Sequence, residues 1–388
     1  MIHKISVSNF KAIKSASVKM TDLTVFVGNN GSGKSSLIEA LQTLQQILLY
    51  GLSAGFNERW FGLEHIRNAS TPAAKGSIKN TIFENDIQIQ IQGKIGREKY
   101  LYAISFNTTA NGNLYLVTSE LLEKDKETIF RAEIVDEKGN AQLFLEKNSK
   151  AVNYMANRLV IAEKNLHDNH EFVFKIANYI ASWQFLTLEP EKMYFPSQRD
   201  YGQIQVRMKS SGENIADFFS RLQDDAVKNE LISDKMRYVL PEFEIIGREE
   251  ISIQKKIYLF LQGQYDNKRL PSWLFSSGTL RILAILAVFH SVEVPPVIFI
   301  EEIENGLDPR TLNMLVGEIR GLLPENQVIA TTHSPYFLDL VALKHIVVAE
   351  RNKGKTTYYR PDNDKRLNVW KDKFSAGTLY TMDRFTRP

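Results

Sequence analysis

The stretch Gly28-Asn29-Asn30-Gly31-Ser32-Gly33-Lys34-Ser35 decides the fold of this 388-residue chain. It has the form G-x-x-x-x-G-K-S, in which glycines let the backbone curl so that its N–H groups point inward. Alternation and β-branched residues over 23–27 before it predict a strand, and leucines spaced three or four residues apart after it predict a helix. Strand, loop and helix are the context in which such a loop holds polyphosphate.

This stretch, residues 28–35, is called the phosphate loop below, and it predicts a site for ATP and Mg²⁺. Lys34 would reach the β- and γ-phosphates, and the Ser35 hydroxyl would bind the metal ion. The alternative is a glycine-rich turn that merely caps a helix, and the complete motif favours the nucleotide. The remaining residues expected to surround the phosphates are Asn29, Asn30, Gly31, Ser32, Gly33 and Ser36.

A second informative segment is the apolar run Val297–Ile300, which is followed by Glu301 and Glu302. As a buried central strand it would deliver both carboxylates to its carboxyl end, where open α/β sheets bind ligands. Glu301 would then hold magnesium, directly or through water. Glu302 would orient or deprotonate an attacking water. The alternative is an ordinary strand end with exposed acids.

Composition excludes several classes of protein. The chain has no cysteine, so disulfides and cysteine-ligated metal sites are ruled out. We expect a cytoplasmic protein without a membrane role, because no apolar run is long enough to span a bilayer and no signal-peptide core follows Met1. The formal charge of +3 neither requires nor excludes nucleic acid.

Hydrophobic periodicity predicts an α/β chain. Alternation over 77–146 predicts antiparallel strands, including 87–92, 100–106 and 141–145. Segments 154–183 and 214–239 look helical, whereas strands alternate with helices after residue 250, which implies a largely parallel sheet. Strands are expected there at 256–261, 297–300, 328–331 and 345–349. We expect one domain, 1–388, with an N-terminal lobe (1–150), a helical subdomain (151–249) and a C-terminal lobe (250–388).

A third informative segment precedes the predicted strand 297–300 and its two carboxylates, which we call the carboxylate strand. Ser276-Ser277-Gly278-Thr279 opens a very apolar helix, so it predicts either another anion site or a plain N-cap. After it come the carboxylate strand, Asn305-Gly306-Leu307-Asp308-Pro309 and Thr331-Thr332-His333-Ser334-Pro335. This order resembles the head of ATP-binding-cassette (ABC) ATPases, and more narrowly the RecF/OLD/SMC class of AAA family ATPases. The resemblance covers both ends of the chain and is weak between about residues 53 and 192.

The resemblance implies an ABC-ATPase-like P-loop fold with a β-rich insertion and a helical subdomain. It also implies roles at matching positions. Ser277 and Gly278 would contact ATP across a dimer, Asp308 would couple the two sites, and His333 would sense the γ-phosphate. Gln198, or Arg199 as second choice, would complete the metal shell, and Lys11 would approach the nucleotide from the first hairpin.

The resemblance leaves two functions open. One is an ATPase that dimerises, or forms a higher homo-oligomer, around ATP and controls a separate effector protein, with a nuclease as one candidate, in defence against phage. The other is a RecF-like clamp with DNA as its partner. The chain lacks a long coiled coil, and the segment after His333 is too short for a nuclease domain, so we expect no nuclease activity in it. Basic residues near the C-terminus, interleaved with acids, predict either a solvated surface or a DNA contact.

Overall fold

The computed structural model describes residues 1–70, 85–109, 114–136, 138–145, 151–199, 206–265, 268–323, 325–370 and 372–385. The chain divides into two compact units. The first unit comprises Met1–Trp183, Leu343–Val369 and Asp383–Pro388, and the second comprises Gln184–Ala342 and Trp370–Met382. The expected division into 1–150, 151–249 and 250–388 stays a prediction.

Strands and helices both contribute to the described part of the chain. The strands are β1 (Ile2–Phe10), β2 (Ile13–Lys19), β3 (Leu23–Val27), β4 (Ile87–Ile95), β5 (Glu98–Thr108), β6 (Tyr115–Lys124), β7 (Glu127–Ile134), β8 (Asn140–Leu145), β9 (Val152–Met155), β10 (Gln184–Leu186), β11 (Ser197–Gln198), β12 (Phe243–Ile251), β13 (Lys256–Gly263), β14 (Arg269–Pro271), β15 (Val297–Ile300), β16 (Gln327–Thr331), β17 (Ile346–Asn352) and β18 (Lys355–Tyr359). The helices are α1 (Lys34–Tyr50), α2 (Leu63–Ile66), α3 (Lys164–Asn169), α4 (Glu171–Ala181), α5 (Pro190–Met193), α6 (Ile215–Leu222), α7 (Ala226–Val239), α8 (Ser277–Phe289), α9 (Pro309–Leu322), α10 (Pro335–Leu340) and α11 (Ala376–Thr381). Within these described ranges, no helix has the length and apolar character needed to cross a membrane.

A large antiparallel sheet dominates the first unit, in the order β2-β1-β4-β5-β6-β7-β8-β9. Ile87, Ile89 and Ile91 of β4 are buried and alternate with more exposed glutamines, as expected for a strand that covers a core on one face. The expected β-rich section is therefore present and continues the first hairpin, since β1 pairs with β4. Residues 77–84, 110–113, 137 and 146 of that expected section lie outside the described residues.

The first unit also holds the strand that leads to the phosphate loop. Strand β3 is buried along its whole length, and it lies parallel to β17, with Val25 opposite Ile346. Strand β18 then pairs antiparallel with β17. Four of its five residues are apolar, as is typical of a strand buried on both faces, and its bounds match the predicted range 23–27.

The second unit contains the three parallel strands β10, β15 and β16 in that order. The rings of Phe185 and Phe299 stack across β10 and β15 with centroids 4.4 Å apart. Helix α8 contacts α5, α6, α7 and α9 and is buried on nearly every side from Leu280 onward. A helix that is apolar all round belongs in such a core.

The helical prediction for 154–183 is wrong at its start, because residues 154 and 155 belong to strand β9. Segment 151–249 also contains β10, β11 and most of β12, although α4, α6 and α7 form as expected. Strand β12 pairs antiparallel with β13 in a second small sheet with β11 and β14. The two-residue β11 pairs with β13 about sixty residues further along the chain, and local periodicity does not reveal so distant a partner.

One buried carboxylate ties the large sheet to the turn that follows it. Glu120 on β6 accepts hydrogen bonds from the Val160 and Ile161 backbone N–H groups at 2.6 and 2.9 Å. It also accepts one from the Tyr102 hydroxyl at 2.9 Å. Burial raises the pKa of Glu120 to about 7, and the three donors only partly oppose that rise.

This raised pKa predicts a pH-dependent contribution to stability. The unfolded carboxyl has a pKa near 4.5, so the folded chain holds the proton more tightly, and the contribution is lost as the pH rises through about 7. The stability advantage of wild type over Glu120→Gln should shrink between pH 5 and pH 8 by roughly 2–3 kcal/mol, as urea unfolding would measure. A constant gap would show that folding does not raise the pKa of Glu120.

Candidate functional site

Helix α1 begins at the phosphate loop without a capping side chain. Its N-cap residue is Gly33, which has a left-handed φ of +105°. A Cβ at this position would lie 2.8 Å from Cγ2 of Thr356, so a larger residue is excluded. The Tyr358 hydroxyl donates to the Gly33 carbonyl at 2.7 Å and fixes the loop from β18. The N–H groups of the first helical turn are thus presented to an anion.

The Lys34 ammonium lies over the inside of the loop. The side chain is buried, and Nζ donates to the carbonyl oxygens of Gly28 and Asn29 at 2.7 and 3.1 Å. The Ser32 hydroxyl is buried as well and has no hydrogen-bond partner among the residues that the structure describes. A buried cation and an orphaned hydroxyl beside an uncapped helix fit the oxygens of a nucleotide phosphate.

The other loop residues predicted from the motif lie in the same turn. Asn29, Asn30 and Gly31 are exposed, whereas Ser35 is half-buried and Ser36 is buried. The structure therefore brings the whole run 29–36 together within the first unit. Exposed loop residues leave room for a ligand on that side of the loop.

Lys11 packs against the helix that starts at the loop. Its Nζ forms an ion pair with Oε2 of Glu39 at 2.6 Å and lies 4.5 Å above the ring of Trp60. The indole of Trp60 donates to the Thr43 hydroxyl at 2.9 Å, so both partners belong to or contact α1. Contact between Lys11 and a nucleotide stays a prediction.

The two carboxylates of the second unit have different surroundings. Glu301 continues the β15 ladder, with its N–H donating to Leu186 O at 2.9 Å, and its Oε1 accepts from the Thr187 hydroxyl at 3.3 Å. Glu302 is exposed and has a left-handed φ of +49°. Such a backbone costs a non-glycine residue about 1–3 kcal/mol and is typical of functional sites.

Local hydrogen bonds hold Glu302 in this conformation. Its N–H donates to the Thr331 hydroxyl at 2.9 Å, and its carboxylate accepts from the Asn305 side-chain amide. His333 follows on the same turn as Thr331 and is half-buried. Because β15 and β16 are parallel neighbours, the turns carrying Glu302 and His333 meet at one edge of the sheet.

The start of α8 is capped by the residue before it and also exposes a hydroxyl. Ser276 is the N-cap, and its Oγ accepts from Thr279 N–H at 3.1 Å. Ser277 is exposed, while Gly278 packs so tightly that a Cβ on it would lie 2.1 Å from the carbonyl oxygen of Gly306. Both sequence-based interpretations, an N-cap and an exposed anion site, therefore keep a physical basis.

Asp308 caps helix α9. Its carboxylate accepts from the Arg310 and Thr311 N–H groups at 2.9 and 3.1 Å and from the Thr311 hydroxyl at 2.5 Å. The Thr311 hydroxyl is the main reason that the pKa of Asp308 lies below its usual value. The coupling role implied for Asp308 stays a prediction.

Gln198 lies on a different sheet from the strand that precedes Glu301. It is exposed on β11, opposite Lys256 of β13, whereas Arg199 forms an ion pair with Glu250. In the part of the chain that the structure describes, no group of three or more acidic or histidine side chains could hold a metal ion. Magnesium would therefore need hydroxyl, amide and phosphate oxygens besides Glu301, and the ligands Ser35, Gln198 and Glu301 stay predictions.

Sequence reasoning missed two residues of the second unit. Glu304 accepts hydrogen bonds from Thr332 and His333, although it was visible as the third acid of Glu301-Glu302-Ile303-Glu304. Arg281 is half-buried on α8, and burial lowers its pKa against the opposing effect of Glu302, Glu191 and Glu304. Only the helical spacing from Ser277 to Arg281, one turn, could have indicated that Arg281 lies near these acids.

Over residues 23–339, most of its length, the chain matches the family described as "AAA domain, putative AbiEii toxin, Type IV TA system". The chain belongs to this family. A relative from Helicobacter pylori named "ATP/GTP phosphatase" is 20% identical over 362 residues, which cover 88% of this chain and 87% of that protein. Membership confirms the expected enzyme class, an ATPase.

Solved structures confirm the fold of this family member. An SMC head bound to the C-winged helix domain of ScpA matches with a TM-score of 0.56 at 15% identity, over 92% of this chain and 96% of that one. An SMC head with an extended coiled coil, bound to the C-terminal domain of ScpA derived from Pyrococcus furiosus, matches with a TM-score of 0.51 at 12% identity, over 92% and 95% of the two chains. The expected ABC-ATPase-like head is therefore confirmed as the fold.

The close approach at Gly278 predicts the effect of one added methyl group. Gly278→Ala would press a Cβ against the Gly306 carbonyl, so we expect a loss of about 1–3 kcal/mol in stability and a lower thermal midpoint. Gly317→Ala is the matched control, since a Cβ there meets nothing within 4 Å in the exposed interior of α9. That variant should be stabilised by roughly 0.5–1 kcal/mol. Equal midpoints for the two variants would contradict the contact.

Proposed function

We propose that this ATPase dimerises around ATP and thereby regulates a separate effector protein. The observation that carries the proposal is the pair of helix starts, α1 at the phosphate loop without a capping side chain and α8 at the exposed Ser277. A nucleotide needs only one phosphate loop. The second helix start is accounted for if it serves the nucleotide of a second copy.

Binding is assigned to the phosphate loop of the first unit. Backbone N–H groups at the start of α1, the Lys34 ammonium and the Ser32 hydroxyl are the donors that a triphosphate requires. Lys34 would exchange its bonds to the carbonyl oxygens of Gly28 and Asn29 for phosphate oxygens. Since an ammonium has three N–H donors, it could retain one loop carbonyl while it binds the phosphates.

Hydrolysis is assigned to residues of the second unit. Glu302 is the proposed general base, because its exposed carboxylate follows a buried central strand and is held by Asn305. His333, on the neighbouring strand end, would donate a hydrogen bond to the γ-phosphate. Ser35, Glu301 and Gln198 would hold Mg²⁺, which when bound neutralises charge on the phosphate oxygens.

The dimer is symmetric in this proposal. Ser277 and Gly278 of each copy would contact the phosphates bound by the other, so two nucleotides lie in one isologous interface. Asp308 would lie between the two sites. Its side chain caps α9 and so fixes where that helix begins. Binding energy of ATP would then be used for association, and hydrolysis would release the two copies.

A partner effector is supported by the family description, which names a type IV toxin–antitoxin system, since in such a system one protein controls another. Regulation of that effector in defence against phage is the setting that we propose. DNA binding receives less support from the basic residues near the C-terminus. Arg360 donates to the backbone carbonyls of Lys344 and Lys19, and Arg366 pairs with Asp364, so these cations already serve the first unit.

The dimer can be trapped by slowing hydrolysis. Glu302→Gln should bind ATP and accumulate as a dimer, because the amide removes the base and leaves the phosphate contacts intact. Light scattering with saturating ATP and Mg²⁺ would then give twice the monomer mass. Wild type under the same conditions should return to the monomer as ATP is consumed.

Two further substitutions in the Glu302→Gln background separate binding from association. Ser277→Arg should keep ATP binding by calorimetry but leave a monomer, since it blocks the face offered to the partner. Lys34→Ala should abolish both, since it removes the cation that lies over the phosphate loop. A persistent ATP-dependent dimer in the Ser277→Arg chain would contradict the cross-subunit role.

A further inference from the structure

Glu304 joins the two turns that carry Glu302 and His333. Its Oε1 accepts from the His333 backbone N–H at 2.5 Å, and its Oε2 accepts from the Thr332 hydroxyl at 2.8 Å. Both oxygens of a half-buried carboxylate are therefore used by adjacent residues of the other turn. Hydrogen bonds to an ionised acceptor are roughly twice as strong as neutral ones, so this is a firm attachment.

Further bonds connect the same two turns. The Glu302 N–H donates to the Thr331 hydroxyl at 2.9 Å, and the Ile303 N–H donates to the Thr331 carbonyl at 3.1 Å. The Thr332 hydroxyl, besides donating to Glu304, accepts from the Ser334 N–H at 3.0 Å. Movement of one turn must therefore break these bonds or be passed to the other turn.

The strained backbone of Glu302 makes this attachment consequential. A residue held at a φ of +49° returns to an ordinary conformation unless its surroundings fix it. Glu304 is two residues further along the same turn, and its own carbonyl accepts from the Leu307 N–H at 3.0 Å. Its side chain thus anchors the strained turn at the point where the chain continues toward Asp308.

We propose that Glu304 is a positioning residue that couples His333 to Glu302. A shift of the His333 backbone toward the γ-phosphate pulls on the Glu304 carboxylate, and the turn carrying Glu302 follows. Water is then oriented only when His333 has met its ligand. Glu304 itself touches neither nucleotide nor water, and the coupling has meaning only if the chain hydrolyses ATP as proposed above.

A purely structural role for Glu304 predicts a different result. Its removal would then lower the thermal midpoint and leave turnover by the remaining folded protein unchanged. Glu318 provides the matched control, since it is a mostly buried acid of the same unit that accepts from His290 and pairs with Lys235 at 2.9 and 2.8 Å. Neither partner belongs to the proposed reaction.

The test measures kcat and KM for ATP with the full chain at a temperature well below every midpoint. The variants are Glu304→Ala, His333→Ala, the double variant and Glu318→Ala. Glu304→Ala should lower kcat about 100-fold, as misplacement of a catalytic group by an ångström does, with KM nearly unchanged. Adding it to His333→Ala should cost nothing further, because the imidazole whose contact with the γ-phosphate Glu304 transmits is already lost. Glu318→Ala should keep the wild-type kcat.

Thr332→Val keeps the test informative where Glu304→Ala does not fold. It removes one of the two bonds to Glu304 at nearly constant volume, so it should lower kcat less than Glu304→Ala and again have no effect in the His333→Ala background. The coupling would be overturned if the Glu304 or Thr332 variants kept the wild-type kcat. It would also be overturned if their effects on kcat multiplied with that of His333→Ala. Wild-type protein that binds ATP without turnover would instead contradict the proposed function.

Discussion

The first turn of α1 presents backbone N–H groups without a capping side chain, and an anion is the natural partner for them. Everything proposed for this chain depends on that requirement. The buried Lys34 ammonium adds positive charge at the same place, where it is satisfied for the present by the loop carbonyls of Gly28 and Asn29. A triphosphate offers both sets of donors stronger acceptors than the loop provides, which explains why nucleotide is expected here.

The second unit shows how a strained residue is stabilised for chemistry. Glu302 leaves a buried strand in a backbone conformation that its own side chain disfavours, and hydrogen bonds from the neighbouring turn offset the cost. The same neighbouring turn carries His333. Geometry that stabilises one residue therefore also determines the position of the other. The Glu304 carboxylate adds a further connection between these two turns, because it accepts from the His333 N–H.

Sequence predicted the parts of this structure that local pattern determines. Strands β3 and β15 match their predicted bounds because each is a short, fully buried apolar run ended by glycine or acids. Strand β12 was missed because nearly all of its residues are exposed or half-buried, so it carries no clear alternating pattern. The ion pair of Lys11 with Glu39 was missed because its two residues are 28 positions apart and many polar residues could form such a pair. Glu304 lay inside a recognised motif, yet its role depends on the Thr332 and His333 donors almost thirty residues away.

The most direct test of the central claim is a crystal structure with Mg²⁺ and a non-hydrolysable ATP analogue. The account predicts that the phosphates lie against the N–H groups at the start of α1 and the Lys34 ammonium of one copy. It also predicts that Ser277 of a second copy reaches the same γ-phosphate. A nucleotide bound away from Lys34, or bound there with Ser277 of every neighbouring copy out of reach, would contradict it.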